Sequence, residues 1–99
     1  MILGKVIGTV WSTRKDENLV GAKFLIVREL DLEYKEKNNF VVAVDSVGAG
    51  VGEIVLAAQG SSARQTTFTK NKPVDAVIMA IVDKLDISVK EKLAETEVE

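Results

Sequence analysis

The sequence has no cysteine and no histidine, a single proline and only five aromatic residues. Without cysteine there are no disulfides, no thiolate metal ligands and no sulfur nucleophile, and the redox compartment cannot be read. Without histidine, the usual general base near neutral pH and the commonest metal ligand are both missing. Most enzyme classes lose their ordinary machinery with these two absences. No stretch approaches the roughly 18 apolar residues that a membrane-spanning helix needs. The opening Met1-Ile2-Leu3 is cut by Gly4 and Lys5 with no basic segment before it, so it does not read as a signal peptide. The expectation is a soluble, intracellular protein that needs no cofactor and no metal.

An excess of positive charge is absent too. Thirteen Lys and Arg stand against fifteen Asp and Glu, for a net charge of -2. Phosphate binding is driven by a surplus of Lys and Arg that releases counterions, so the balance speaks against nucleic acid. It speaks equally against an anionic membrane surface.

What the chain does have is β-branched bulk. Fifteen of its 99 residues are Val and seven are Ile. Branching at Cβ suits the pleated sheet better than the helix. Five segments carry strand character: Ile2 to Trp11, Lys23 to Leu30, Phe40 to Val47, Glu53 to Gln59 and Val74 to Asp83. Pro73 has no backbone donor and marks a strand start, and the Asn38-Asn39 pair reads as a turn. Phe24-Leu25-Ile26-Val27 and Ile54-Val55-Leu56-Ala57-Ala58 are apolar on consecutive positions, the pattern of strands covered on both faces. In so small a domain the second face has to be covered by a wrapped barrel or a neighbouring copy. Trp11, Phe24, Tyr34, Phe40 and Phe68 lie mostly in apolar runs and are expected in the core.

Two short helical turns complete the reading. Ser62 with Gln65 and Ser88 with Glu91 have capping-box spacing, and Leu85, Val89 and Leu93 stack on one helical face. The expected architecture is mainly β: a small five-stranded barrel of the oligonucleotide-binding (OB) type over residues 1–84, with 85–99 as a tail, part helical or disordered.

The loudest local signal is Asp45-Ser46-Val47-Gly48-Ala49-Gly50-Val51-Gly52-Glu53. A phosphate loop would need Gly-Lys-Ser/Thr at its end and a helix N-terminus facing the anion. Here the glycines alternate, Glu53 adds negative charge, and a strand follows. A tight connection that packs closely, with Gly50 at a positive φ, is the better reading. Asp45, Glu53, Asp75 and Asp83 lack the spacing of a calcium loop or a glycosidase pair, and three of them sit at strand ends where they cap turns. Gly60-Ser61-Ser62-Ala63-Arg64 has no base to activate a serine; its small residues suit close packing or a narrow polar opening. Arg14-Lys15 and Lys70-Asn71-Lys72 are basic loop clusters without interleaved stacking rings.

In order, these blocks resemble the pentameric vertex proteins of bacterial microcompartments, the EutN/CcmL family. The similarity runs through Gly4-Lys5-Val6-Ile7-Gly8-Thr9-Val10-Trp11-Ser12-Thr13-Arg14-Lys15 and Leu19-Val20-Gly21-Ala22-Lys23-Phe24-Leu25. Its most specific piece is Val44 to Glu53 followed by Val55-Leu56; Gly60 to Arg64 and Val74 to Asp83 complete it. The resemblance implies an OB-like barrel that forms homopentamers and caps the corners of a polyhedral shell in the cytoplasm, beside hexameric shell proteins. It implies no catalytic residue. On it, Asp45, Gly48, Ala49, Gly50, Gly52, Glu53, Gly60, Ser61, Ser62, Ala63 and Arg64 are expected at a subunit interface or near a central pore, with Arg64 reaching an acidic group next door. Two rivals of other classes remain. An OB-type binder of single-stranded nucleic acid would show salt-dependent binding to an oligonucleotide, and an enzyme working with carboxylates alone would need a deep polar pocket.

Overall fold

The computed structural model describes residues 1–12, 17–65, 69 and 74–88, without the side chains of Ser61 and Ser62. Five strands form it: β1 (Ile2–Val10), β2 (Phe24–Leu30), β3 (Glu36–Asp45), β4 (Ile54–Gln59) and β5 (Ala76–Ile81). Their spatial order β1-β2-β3-β5-β4 closes into a barrel, with β4 returning to β1. Every pairing is antiparallel except β3 with β5, which is parallel and joins only Val44 to Val77 and Asp45 to Ile78. This is the mainly β, OB-like barrel that the sequence predicts.

Alternation does the sorting. Val6, Leu25, Val27, Ala43, Val55, Ala57 and Ile78 are fully buried inside the barrel. Burying a side chain of the size of Val, Leu or Ile is worth about 1.5–3 kcal/mol, so these few positions dominate stability. The consecutive apolar runs are not covered on both faces within the chain. Ile26, Ile54 and Leu56, on the outward positions, are only half-buried.

The aromatic residues correct the expectation. Trp11 is 90% exposed and Phe40 58%, Tyr34 also faces solvent, Phe24 is half-buried, and Phe68 lies outside the described residues. A five-stranded barrel has an interior wide enough for Val, Leu and Ala and too narrow for many rings. Close approach is visible at Gly4. A Cβ there would stand 2.4 Å from Val27 Cγ1 and 2.8 Å from the Arg28 carbonyl oxygen.

The Asn38-Asn39 turn is also displaced. Both residues lie inside β3, and the reversal is made upstream, at Asp31–Lys35. Asp31 directs it: its carboxylate accepts from the Glu33 and Lys35 amides at 2.7 and 3.0 Å, and its own amide donates to the Lys35 carbonyl. Tyr34 takes a left-handed φ of 65° within this frame. Farther along the hairpin, Glu29 accepts from Asn39 Nδ2 at 2.6 Å and pairs with Lys37 Nζ at 3.2 Å. Asn39 therefore serves the ladder between strands.

A 3₁₀ turn at Gly60–Arg64 follows β4. It starts two residues before Ser62, which is thus inside the turn and not its cap. Ala63 packs on Ala58 and Val77, sealing the outside of β4 and β5. A second 3₁₀ turn, not expected from the sequence, spans Glu17–Leu19. The helical turn expected from Ser88 falls on residues 89–99, outside the described residues. Among the described residues, no helix is long and apolar enough to cross a membrane.

Two tests follow from this packing. Gly4→Ala should cost about 1–3 kcal/mol by overpacking. Gly8→Ala should cost less than about 1 kcal/mol, since its Cβ would meet only Ile26 Cδ1 at an ordinary 3.6 Å. Denaturant midpoints at one fixed protein concentration separate the two.

The hairpin should respond to acid. Hydrogen bonds from Asn39 and Lys37 hold Glu29 below its ordinary 4.5, and the Lys35 and Glu33 amides hold Asp31 below 3.8. Groups with lowered folded pKa values stabilise fully above their unfolded values and lose that contribution as pH falls through the folded ones. Exchange of the Glu33 and Lys35 amides, read by NMR and corrected for intrinsic pH dependence, should therefore lose protection only below about pH 4.

Candidate assembly surface

The β3–β4 connection is built around one carboxylate. Asp45 ends β3 with its side chain only 4% exposed, and its Oδ1 accepts from the amides of Val47, Gly48 and Ala49, each at 3.1 Å. Lys23 Nζ stands 3.7 Å from Asp45 Oδ2 and donates to the Ala49 carbonyl at 3.0 Å. Ser46 Oγ donates to the Ile78 carbonyl at 2.9 Å. The strand-end carboxylate caps a turn, as expected, and it ties three segments together as well.

The second half of the loop is fixed to β1. Gly52 N donates to the Val6 carbonyl at 2.8 Å and Val6 N to the Glu53 carbonyl at 2.9 Å. Glu53 Oε1 accepts from Gly50 N at 2.6 Å. Positive φ falls at Gly48 (79°) and Gly52 (96°), and Gly50 is not among the left-handed residues. This corrects the reading of Gly50: a Cβ there would have only Glu53 Oε1 nearby, at 3.7 Å. With its amides and carboxylates committed internally, the loop is a rigid brace with no phosphate cradle.

The other candidate segment is elsewhere. Gly60 to Arg64 follows the far end of β4, so six residues of strand, about 20 Å at 3.3 Å per residue, separate it from Glu53. The expected site residues thus occupy two places. Ala49 and Ala63 are wholly buried within the chain. Arg64 Nη1 donates to the Val74 carbonyl at 2.9 Å, and Gly60 N to the Asp75 carbonyl at 2.8 Å, which secures the turn to the start of β5. Thr69 Oγ1, buried, donates to the Ala63 carbonyl.

An open groove of about 310 Å³ lies beside this turn, lined by Val41, Val42, Gln59, Gly60, Asp75 and Ala76. It exists because β3 parts from β5 upstream of Val44. Its lining is mostly apolar or small, and Asp75 is its sole ionisable group; two acid–base partners are not assembled there. Among the described residues, no three acidic side chains gather as metal ligands. Arg14-Lys15 and Lys70-Asn71-Lys72 lie outside the described residues.

Sequence reasoning expected Phe40 in the core and did not single out Ile7 or Val42, and all three are exposed. For Phe40 the signal was the lack of room for rings in a five-stranded barrel.

Comparison with known proteins agrees over nearly the whole chain. The family model described as ethanolamine utilisation protein EutN/carboxysome matches residues 1–83. The bacterial microcompartment shell vertex protein GrpN of Rhodospirillum rubrum is 49% identical over 86 residues, covering 87% of this chain and 97% of GrpN. A solved pentameric GrpN shell protein from the same organism superposes with a TM-score of 0.80 at 47% identity, covering 88% of this chain and 99% of that one. The solved CcmL of Gloeobacter violaceus gives a TM-score of 0.84 at 41% identity, over 89% and 91% of the two chains.

The brace makes a graded prediction. Asp45→Ala removes the buried carboxylate that accepts from three amides and should destabilise the protein by about 2–3 kcal/mol, since hydrogen bonds to a charged group are the stronger kind. Gly52→Ala should cost about 1–2 kcal/mol through its left-handed φ, and Gly50→Ala under about 0.5 kcal/mol. Thermal melts of the three variants give the order.

Proposed function

The chain belongs to the EutN/CcmL family of microcompartment and carboxysome shell vertex proteins, and on that premise we propose that five copies form a ring that closes a corner of a polyhedral protein shell. The observation that carries this reading is the near full-length match to shell vertex proteins, including one of pentameric structure. Geometry explains why a shell needs such a unit. A flat sheet of six-fold tiles cannot close on itself, and a five-fold unit introduces the curvature that lets it.

The fold suits the task. A ring of identical subunits is held by head-to-tail contacts, so each copy buries two different surfaces. A rigid barrel with half-buried apolar residues on its outside can offer both. In this reading the protein is structural and performs no catalysis, and its neighbours in the shell are hexameric tiles. The Asp45–Glu53 brace and the Gly60–Arg64 turn lie at the ring interface or near its axis, the brace by holding a fixed shape. The nucleic-acid alternative gains nothing from these relatives, and the net charge of -2 weighs against it.

Two measurements test the role. Native mass spectrometry at micromolar concentration should give mainly pentamer; mainly monomer would contradict the ring. Deletion of the gene in its host, together with any related vertex protein, should leave elongated or unsealed shells with unchanged cargo activity in lysates. Closed shells of normal shape after deletion would refute the vertex role.

A further inference from the structure

The outer face of β1–β2–β3 is composed unlike a surface that stays in water. Leu25 and Val27 are buried in the barrel, so Ile26 and Arg28 project outward between and beyond them. The register sets Gly8, Ile26 and Val42 abreast in one row, and Lys5, Arg28 and Phe40 abreast in the next. Ile7 joins them at the bulge of β1. Val42 is 41% exposed and Phe40 58%. An antiparallel sheet with one solvated face ordinarily carries polar residues there. Here one row is aliphatic, and the other ends on an exposed ring.

The second observation is electrostatic. Lys5 and Arg28 stand directly opposite each other on neighbouring strands, an arrangement that repels. The ion pairs among the described residues join Lys23 to Asp45, Lys35 to Glu33 and Lys37 to Glu29. Neither Lys5 nor Arg28 has a carboxylate among them. Arg28 Nη1 donates to the Lys37 carbonyl at 3.3 Å, which neutralises no charge.

We propose that this face is one half of the contact between successive copies in the ring, and that Lys5 and Arg28 meet a carboxylate of the next copy. The proposal rests on the ring reading above and deepens it. A second copy is the occupant that fits, because each subunit of a head-to-tail ring must bury two unlike surfaces. A neighbouring copy also brings carboxylates outside the ion pairs named above, the exposed Glu36, Asp75 and Asp83 among them, and so the charge that the pair lacks. An arginine and an aromatic ring beside an aliphatic row is the composition of interface centres.

The absence of cysteine makes a direct test possible, since Val42→Cys would carry the only thiol in the chain. In the intact full-length ring that thiol should react with a maleimide about tenfold or more slowly than in unfolded protein. Leu32→Cys, exposed on the hairpin turn, should react fast in both. Native mass spectrometry should show the Lys5→Glu, Arg28→Glu double variant falling from pentamer to monomer while its circular dichroism stays β-type. Glu33→Lys, a reversal on the hairpin turn, should remain pentameric. If the double variant fails to fold, the thiol protection decides by itself. A ring in which Val42→Cys reacts as fast as Leu32→Cys would overturn the proposal and leave the vertex reading standing. Protection that appears only once other shell proteins are added would overturn it too, because the face would then meet a different tile. Monomeric unsubstituted protein would sink both readings together.

Discussion

The space inside a five-stranded barrel governs this molecule. Closure around so short a circumference leaves room for Val, Leu, Ile and Ala and forces the strands together until Gly4 cannot carry a Cβ. What does not fit inside must go outside. The consequence is an outer surface holding Phe40, Val42 and Trp11, and a core made of small and branched aliphatic side chains. Stability thus depends on a few tightly packed positions, and the surplus of apolar surface is available for contact with other copies.

Barrel closure has a weak seam, where β3 and β5 meet in parallel for only two residue pairs. The Asp45 carboxylate stands at that seam. By gathering three amides and a lysine, it converts a glycine-rich connection into a brace between β1, β2 and β5. Connections usually run over the surface with variable shape. This one is fixed by its own hydrogen bonds.

The polar groups of the candidate residues are engaged in the same way. The acidic groups of the loop are engaged as hydrogen-bond acceptors for backbone amides, and Arg64 holds a carbonyl at the start of β5. Polar atoms in this chain fix shape. A shell corner needs a reproducible shape more than it needs a reactive group, and the fold is consistent with that demand.

Much was legible beforehand. β-branched abundance and five runs separated by turn residues are local properties, so strand number, four of the five strand boundaries to within two or three residues, and the barrel class could be read from the chain. The ordered blocks from Gly4 to Asp83 pointed to the family for the same reason: they are patterns in sequence. The start of β3 could not be read, because Asn38 and Asn39 favour turns locally, and only the cross-strand contact with Glu29 and the Asp31 reversal draw them into the strand. Nor could the place of Gly50 in its loop, since alternate glycines look alike until the amides are matched to Asp45 and Glu53. Above all, the sequence offers no means to tell an apolar residue facing the barrel from one facing outward. Both read as a continuous hydrophobic run, and the side of the sheet on which each falls is decided by closure, bulge and register, which exist only in the folded chain.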